Sequence, residues 1–430
     1  MKPAANAVFS ITVMSVAILA GSALLAGQQP KLPDPSEAHP NRSKAVPKPD
    51  QAGLKAPAGF TVDTYADNIQ APRMMVYAPD GDLFVSQAAA STVAVFRDTN
   101  NDGLPDQRSV FVQGPLPAGG GGGGGQAAPP APAPCVTGNG MGGRQPFGLA
   151  FHEGYLYVGF TDCLVRYKYQ TGDTTAQGKP EVLANLPSGG GHFTRNVLFS
   201  QDGKKVYVSV GSASNNNDYE EPRRAAILEF NPDGTGFRVF ASGIRNPVGL
   251  ALQPGTNIVW TAVNERDNLG DDLVPDYVTS VKDGGFYGWP YSYIGSHYDP
   301  LHVGKMQSLV KTAIVPDVLM PAHGAALGIN FYTATQFPQH YRNGAFVGLH
   351  GSWNRSKAAG YKVVYIPFQN AKPSGPPEDF VTGFVVNDGT EGQITTWGRP
   401  VGVSVAHDGS LLVSDDVGNR IWRVRYTGGK

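Results

Sequence analysis

The sequence predicts an all-β fold: a six-bladed β-propeller of four-stranded antiparallel blades. Three observations carry that prediction. One strand–turn–strand block recurs six times along 430 residues, as MMVYAPDGDLFVSQ (74–87), FGLAFHEGYLYVGF (147–160), NVLFSQDGKKVYVSVG (196–211), VGLALQPGTNIVWTAV (248–263), LGINFYTATQFPQHYRNGAFVGL (327–349) and VGVSVAHDGSLLVSD (401–415). Each block alternates apolar and polar residues around an Asp-Gly, Glu-Gly, Pro-Gly or Asn-Gly turn, which is hairpin chemistry. Most blocks are followed by a second strand pair, and four strands per repeat is the propeller unit.

Taken in order, the elements fit that plan. Lys2, an apolar run over 8–26 and small residues at 23–26 read as an export signal over 1–26, or as an uncleaved membrane anchor. Residues 27–56 are Pro-rich without periodicity and read as a disordered tether. The propeller domain is expected over 57–430. VAVFRD and SVFVQG follow the first block, LVRYKY and EVLANL the second, AAILEF and RVFASG the third, KVVYIPF and DFVTGFV the fifth. After the sixth block only RIWRVRY remains, so FTVDTYA (60–66) is expected to supply the missing strand and close the ring.

Two inserts interrupt the pattern. Seven glycines at 119–125 and a Pro/Ala run predict a flexible Gly/Pro-rich loop at 117–134. The aromatic-rich stretch 283–321 is too apolar for a linker and is expected to fold over one face of the disc. The two cysteines, Cys135 and Cys163, suit one disulfide in an exported chain or two buried thiols. The segment 98–106 has oxygen side chains at Asp98, Asn100, Asp102 and Asp106 with Gly103 between them, the first part of a calcium loop without its closing Glu. It reads as a structural calcium site or a plain turn.

Bulk composition narrows function. A net charge of −1 gives no reason to expect nucleic acid or an anionic membrane surface as partner. Hairpin geometry is more informative. Residues just before each first strand gather at one end of a propeller channel: Arg73, Arg144 with Gln145, His192, Arg245 with Asn246, His323 and Arg399. That ring predicts a cationic pocket for an anionic ligand, with His as a proton acceptor. The rival reading pairs these cations with Asp and Glu across the blades. The loop 264–272 (NERDNLGDD) is the densest polar patch and offers oxygens to a hard cation, or is a solvated loop.

On GIRNPVGLAL (243–252), NERDNLGDD, KDGGFYGWPY (282–291) and HFTRNVLFSQDGKKVYVSVG (192–211), the chain resembles the pyrroloquinoline quinone (PQQ)-dependent sugar dehydrogenases, over roughly 57–426. The group includes soluble glucose, aldose and L-sorbosone-type enzymes. The resemblance implies a general base at His192. It implies cofactor contacts at Gln145, Arg245, Asn246, His323, Trp353, Arg355, Lys357 and Arg399, with Arg245 also balancing charge in catalysis. It implies a cofactor calcium held by backbone or side-chain oxygens of Arg266, Asp267 and Asn268, the segment where the family uses backbone carbonyls. The chain departs from the family where an acidic neighbour of the base is replaced by Gly191, at Asp267-Asn268, and in the loops that shape the sugar site.

The implied reaction oxidises a sugar, polyol or aldehyde carbon, with PQQ and Ca²⁺ as cofactors. Electrons leave to a separate acceptor, a cytochrome or quinone, and the protein works in the periplasm or outside the cell. Two other classes share the fold: a calcium-dependent lactonase-like hydrolase and a non-enzymatic binding propeller. The first needs side-chain oxygens from several blades around one cation. The second needs no convergent cationic mouth.

Overall fold

The computed structural model describes residues 29–113 and 145–428. The predicted export signal at 1–26, the loop at 117–134, Arg144 and Cys135 lie outside the described residues. The described chain is all-β and propeller-like, with six four-stranded antiparallel sheets. Their first strands are Pro72–Tyr77, Pro146–His152, Val197–Phe199, Pro247–Leu252, Ala326–Phe331 and Pro400–Val405. These strands touch in cyclic order, and the last touches the first. Phe60–Ala66 pairs with Arg420–Tyr426, so the sixth sheet takes its outer strand from the N-terminal side, as expected.

Two local features explain why these strands crowd around one axis. In four of the six sheets the third residue of the first strand is glycine, and each stands against the backbone of a neighbouring first strand. A Cβ on Gly148 would lie 2.4 Å from Val197 N, on Gly249 2.2 Å from Leu327 O, on Gly328 2.6 Å from Val401 O, and on Gly402 2.3 Å from Arg73 O. No side chain fits there. The residue before the glycine then plugs the axis: Val248, Leu327 and Val401 meet Met74 in one buried cluster. Burying such a side chain stabilises the fold by about 1.5–3 kcal/mol.

The second feature lies at the mouth. Four first strands open with proline, at Pro72, Pro146, Pro247 and Pro400, where a missing N–H is tolerated. Register shifts follow within three residues in five of the six sheets. A bulge re-aims the side chains beside it. A following proline disfavours helical backbone, and at three sheets the residue before it is Gln145, Asn246 or Arg399, while Ala71 before Pro72 is left-handed, with φ 47°.

The insert at 283–321 folds onto the third and fourth sheets. Ser242 N and Tyr287 N bond across to Gly285 O and Ser242 O, and Trp289 Nε1 donates to Asn215 O at 2.9 Å. Cys163 is buried and disulfide-bonded.

The tether reading at 27–56 does not hold for residues 29–56. They run as an ordered strap across the loops at the mouth end. Leu32 packs on the core cluster around Tyr293, and Lys44–Ala45 pairs in parallel with Thr395–Thr396. Prolines at 30, 33, 35, 40, 47 and 49 explain the difference. They deny the segment a helix or strand period, yet they stiffen it, so docking removes little conformational freedom.

Candidate active site

His192 sits immediately before the third sheet's first strand, half-buried. Its Nδ1 lies 2.9 Å from Ser212 O and 2.9 Å from Ser212 Oγ. A carbonyl can only accept, and the Ser212 hydroxyl donates to Ser214 O at 2.6 Å. Nδ1 therefore carries the ring proton, and Nε2 presents a lone pair. Burial, and then the Arg245 guanidinium, lower the His192 pKa to about 3, so the ring is neutral at ordinary pH. The carbonyl of Ser212 orients the ring, in a chain that carries Gly191 beside the base.

Two buried arginines hold the loop that carries His192. Arg195 donates to the carbonyls of His192 at 3.2 Å, Thr194 at 2.7 Å and Pro187 at 2.5 Å. Arg224 donates to Gly189 O at 2.6 Å and Gly211 O at 3.2 Å. Gly211 separates His192 from Asn246: a Cβ there would stand 2.4 Å from Asn246 Oδ1 and 2.6 Å from His192 Cβ. Asn246 Oδ1 is buried without a hydrogen-bond partner. Neither Arg195 nor Gly211 was singled out from the sequence; an Arg three residues past a candidate base and a Gly ending the same block were the available signals.

Arg245 differs from expectation. All five of its N–H donors are taken within the protein. Nε bonds Asn215 O at 3.0 Å; Nη1 bonds Glu265 O at 2.5 Å and Asn264 O at 3.3 Å; Nη2 bonds Asn215 Oδ1 at 3.0 Å and Asp267 Oδ2 at 3.2 Å. It is 4% exposed. Such a group fastens the 264–272 loop and leaves no donor for a ligand. His323 is likewise engaged: Nδ1 faces Asp267 Oδ1 at 3.2 Å and Nε2 faces Gly270 O at 2.9 Å. Burial opposes its charge, but the Asp267 carboxylate and the Gly270 carbonyl outweigh burial and raise its pKa.

The far side of the mouth holds a second chain of contacts. Arg73 Nη1 meets Asp416 Oδ2 at 2.7 Å, and Asp416 Oδ1 meets His350 Nε2 at 2.8 Å. Burial and Arg399 lower the His350 pKa to about 4. Arg399 donates to His350 O at 2.9 Å and Gly351 O at 2.7 Å, and its guanidinium lies 5.3 Å from the Tyr361 ring centre. Asp415 holds the Arg399 backbone N–H at 2.8 Å. Arg399 makes no ion pair with a carboxylate among the described residues. Arg355 bonds Ala322 O at 3.3 Å and Asp272 Oδ1 at 3.2 Å, and its Nε is buried without a partner, as is Arg73 Nε. Trp353 is half-buried beside them, Gln145 stands half-buried at the second sheet, and Lys357 is exposed on the rim near Asp388.

The cationic-ring reading and its rival are therefore each half right. Arg73, Arg245 and Arg355 pair with carboxylates, while Arg399 makes no direct ion pair among the described residues and feels Asp415 and Asp416 only at longer range. Arg399 and the partly exposed Arg355 offer cationic donors that suit a polyanion, and Asn246 Oδ1 and His192 Nε2 offer lone pairs to a hydroxyl or N–H.

The expected calcium ligands fit less well. The Arg266 guanidinium is ion-paired with buried Asp299, which leaves only its backbone carbonyl for a cation. The Asp267 carbonyl already receives Asn215 Nδ2 at 3.0 Å and Arg266 Nη1 at 2.7 Å. Among the described residues the Arg266 and Asn268 carbonyls accept no hydrogen bond, so two of the three expected backbone oxygens remain open. The other predicted loop closes on itself: Asp98 takes Gly103 N at 2.7 Å and Asp102 N at 3.2 Å, Asn100 donates to Asp102 at 3.2 Å, and Thr99 donates to Asp106 at 2.7 Å. It links outer strands Thr92–Arg97 and Gln107–Gln113, away from the mouth.

Comparison with known proteins agrees with this geometry. The glucose/sorbosone dehydrogenase family model matches residues 152–353, and a TrAA12-like model matches 307–427. An uncharacterized protein of Borreliella burgdorferi is 27% identical over 387 residues, 87% of this chain and 91% of that protein. The pyrroloquinoline quinone-dependent pyranose dehydrogenase of Coprinopsis cinerea is 27% identical over 296 residues, 55% of this chain but only 40% of that enzyme. The solved PQQ domain of the Coprinopsis cinerea pyranose dehydrogenase, in its holo form, superimposes with a TM-score of 0.69 at 20% identity, covering 90% of this chain and 100% of that domain.

Proposed function

A chain carrying a glucose/sorbosone dehydrogenase domain is the premise from which we propose a PQQ-dependent sugar dehydrogenase, built on a six-bladed propeller and working in the periplasm or outside the cell. The observation that carries the reading is His192, with Nδ1 tied to a carbonyl and Nε2 left as a neutral base beside the partnerless Asn246 Oδ1. PQQ, when bound, supplies the hydride acceptor for an alcohol or hemiacetal carbon.

His192 Nε2 takes the substrate hydroxyl proton as the C–H bond breaks. Arg399, Arg355 and Arg73 hold the carboxylates of the quinone. Arg245 acts through Asp267 and the 264–272 loop, as a positioning residue. Phe193, 48% exposed beside His192 and packed 5.7 Å from Phe147, offers an aromatic surface to a sugar ring. Calcium is the metal expected with the quinone, and the Arg266 and Asn268 carbonyls would be its available backbone ligands. Two electrons pass on to a separate acceptor, a cytochrome or quinone.

The lactonase-like alternative needs a cluster of ligating side chains. Among the described residues no group of three or more His, Cys, Asp or Glu stands together to hold a metal. The test adds PQQ and calcium to purified protein and follows dye reduction with aldoses, sorbosone and polyols. Turnover that requires PQQ supports the proposal. Turnover of lactones without PQQ overturns it.

A further inference from the structure

The strap at 29–56 crosses the mouth loops at chosen points. Ser36 N donates to Leu269 O at 3.0 Å, and His39 Nδ1 lies 3.7 Å from Asp271 Oδ1. Asn41 then makes four hydrogen bonds. Its backbone N–H donates to Trp353 O at 2.9 Å, its Nδ2 donates to Ser356 O at 3.0 Å and Gly392 O at 2.9 Å, and its Oδ1 accepts Ile394 N at 3.1 Å. The next residue, Arg42, places its guanidinium 4.7 Å from the Trp353 ring centre. Farther on, Lys48 Nζ lies 5.6 Å from the Trp397 ring centre.

The loops so fastened are 268–272 and 353–356. They carry Asn268, Trp353 and Arg355, and they meet each other at Asn268 and Asn354: Asn268 N donates to Asn354 Oδ1 at 2.7 Å and Asn354 Nδ2 donates back to Asn268 Oδ1 at 2.9 Å. Ser36 ties Leu269, next to one partner of that reciprocal pair, and Asn41 ties Trp353 and Ser356, on either side of the other. The strap adds to the amide pair, the rim contacts of Ser356 and Arg355 to Asp271 and Asp272, the His323–Gly270 contact and the Arg355 bond to Ala322 O, which otherwise hold the two loops.

We propose that residues 36–42 are a built-in part of the cofactor site. They hold loops 268–272 and 353–356 in one arrangement and back the Trp353 ring with Arg42, so that the mouth is preorganised for a planar polyanion. The proposal rests on the quinone reading above. It assigns Asn41 and Arg42 a positioning role for cofactor affinity, with no contact to substrate. Preorganisation of this kind lowers the ordering cost of binding, and it shows in affinity more than in turnover once the site is filled.

The experiment uses the full chain and three rim substitutions: Asn41→Ala, Arg42→Ala and Arg42→Lys. Hydrogen–deuterium exchange of the cofactor-free protein reads the loops, and titration with PQQ reads affinity. Asn41→Ala is expected to speed exchange in 268–272 and 353–356 and to raise the PQQ Kd on the order of tenfold, the worth of one or two hydrogen bonds. Arg42→Ala is expected to raise Kd about threefold, the scale of an exposed cation–π contact, and Arg42→Lys to restore most of that. Unchanged exchange in both loops overturns the proposal. So does an unchanged Kd in Asn41→Ala and Arg42→Ala when the parent protein binds PQQ. A parent protein that fails to bind PQQ overturns the quinone reading instead, and this inference with it.

Discussion

Glu265 gives the most quantitative prediction. It is 3% exposed, its Oε1 has no hydrogen-bond partner, and its Oε2 accepts Arg266 N at 3.0 Å. Burial raises its pKa from 4.5 to about 8, against the lowering pull of Arg245. The folded-state value lies above the unfolded one. Its contribution to stability is therefore fully present below about pH 4.5 and is lost as pH rises through about 8, because the unfolded chain ionises first. Over roughly 3.5 pH units, at about 1.4 kcal/mol each, the whole effect is about 5 kcal/mol. Water entering a relaxed site reduces it, so we expect about 2–5 kcal/mol. Glu265→Gln keeps the shape and removes the titration. Urea unfolding between pH 5 and 9 should show parent stability falling relative to the variant by that amount. Parallel curves would refute the assignment of a neutral Glu265.

Other consequences concern the reaction. His192→Ala should lower kcat about 10²- to 10⁴-fold, while the PQQ Kd, read by titration, changes less than about threefold. Because His192 is held near 3, below its ordinary 6.5, its base form persists as pH falls through neutrality; kcat/KM should show no inflection near 6.5, and one there would reassign the base. Gly211→Ala drives a methyl group into Asn246 and His192; activity should drop more than thermal stability, measured on the same sample. Phe193→Ala should raise KM for a pyranose several-fold with little change in kcat. If the 98–106 loop holds a structural calcium, chelation should lower Tm, and Asp102→Ala should abolish that calcium response.

Much of the architecture could be read from sequence because hairpin blocks state their turns and their period in local residues. FTVDTYA was assignable to the last sheet by counting strands. The mouth ring followed from the same geometry, since a residue before a first strand has one place to go. What each mouth residue does was not legible. Arg245 looks like a free anion donor in GIRNP, but its saturation depends on Asn215, 30 residues away, and on Asp267 in a loop that folds back. His323 is neutralised as a ligand by the same Asp267. The orienting carbonyl of Ser212 could not be seen in a side-chain pattern, because any residue supplies a carbonyl. The strap failed for a related reason: its order comes from distant partners at 269, 353, 356 and 394, none of which leaves a period in the segment itself. The block glycines at 148, 249, 328 and 402 were visible at one fixed place in four repeats, and their register with the axis was the signal left unread.

The most direct test is a titration of purified, cofactor-free protein with PQQ in the presence of calcium, followed by absorbance, with a pyranose and a dye added at the end. The account predicts saturable one-to-one binding that Arg399→Ala weakens at least tenfold, and dye reduction that His192→Ala removes while binding persists. A protein that leaves the PQQ spectrum unchanged and reduces no dye would contradict it.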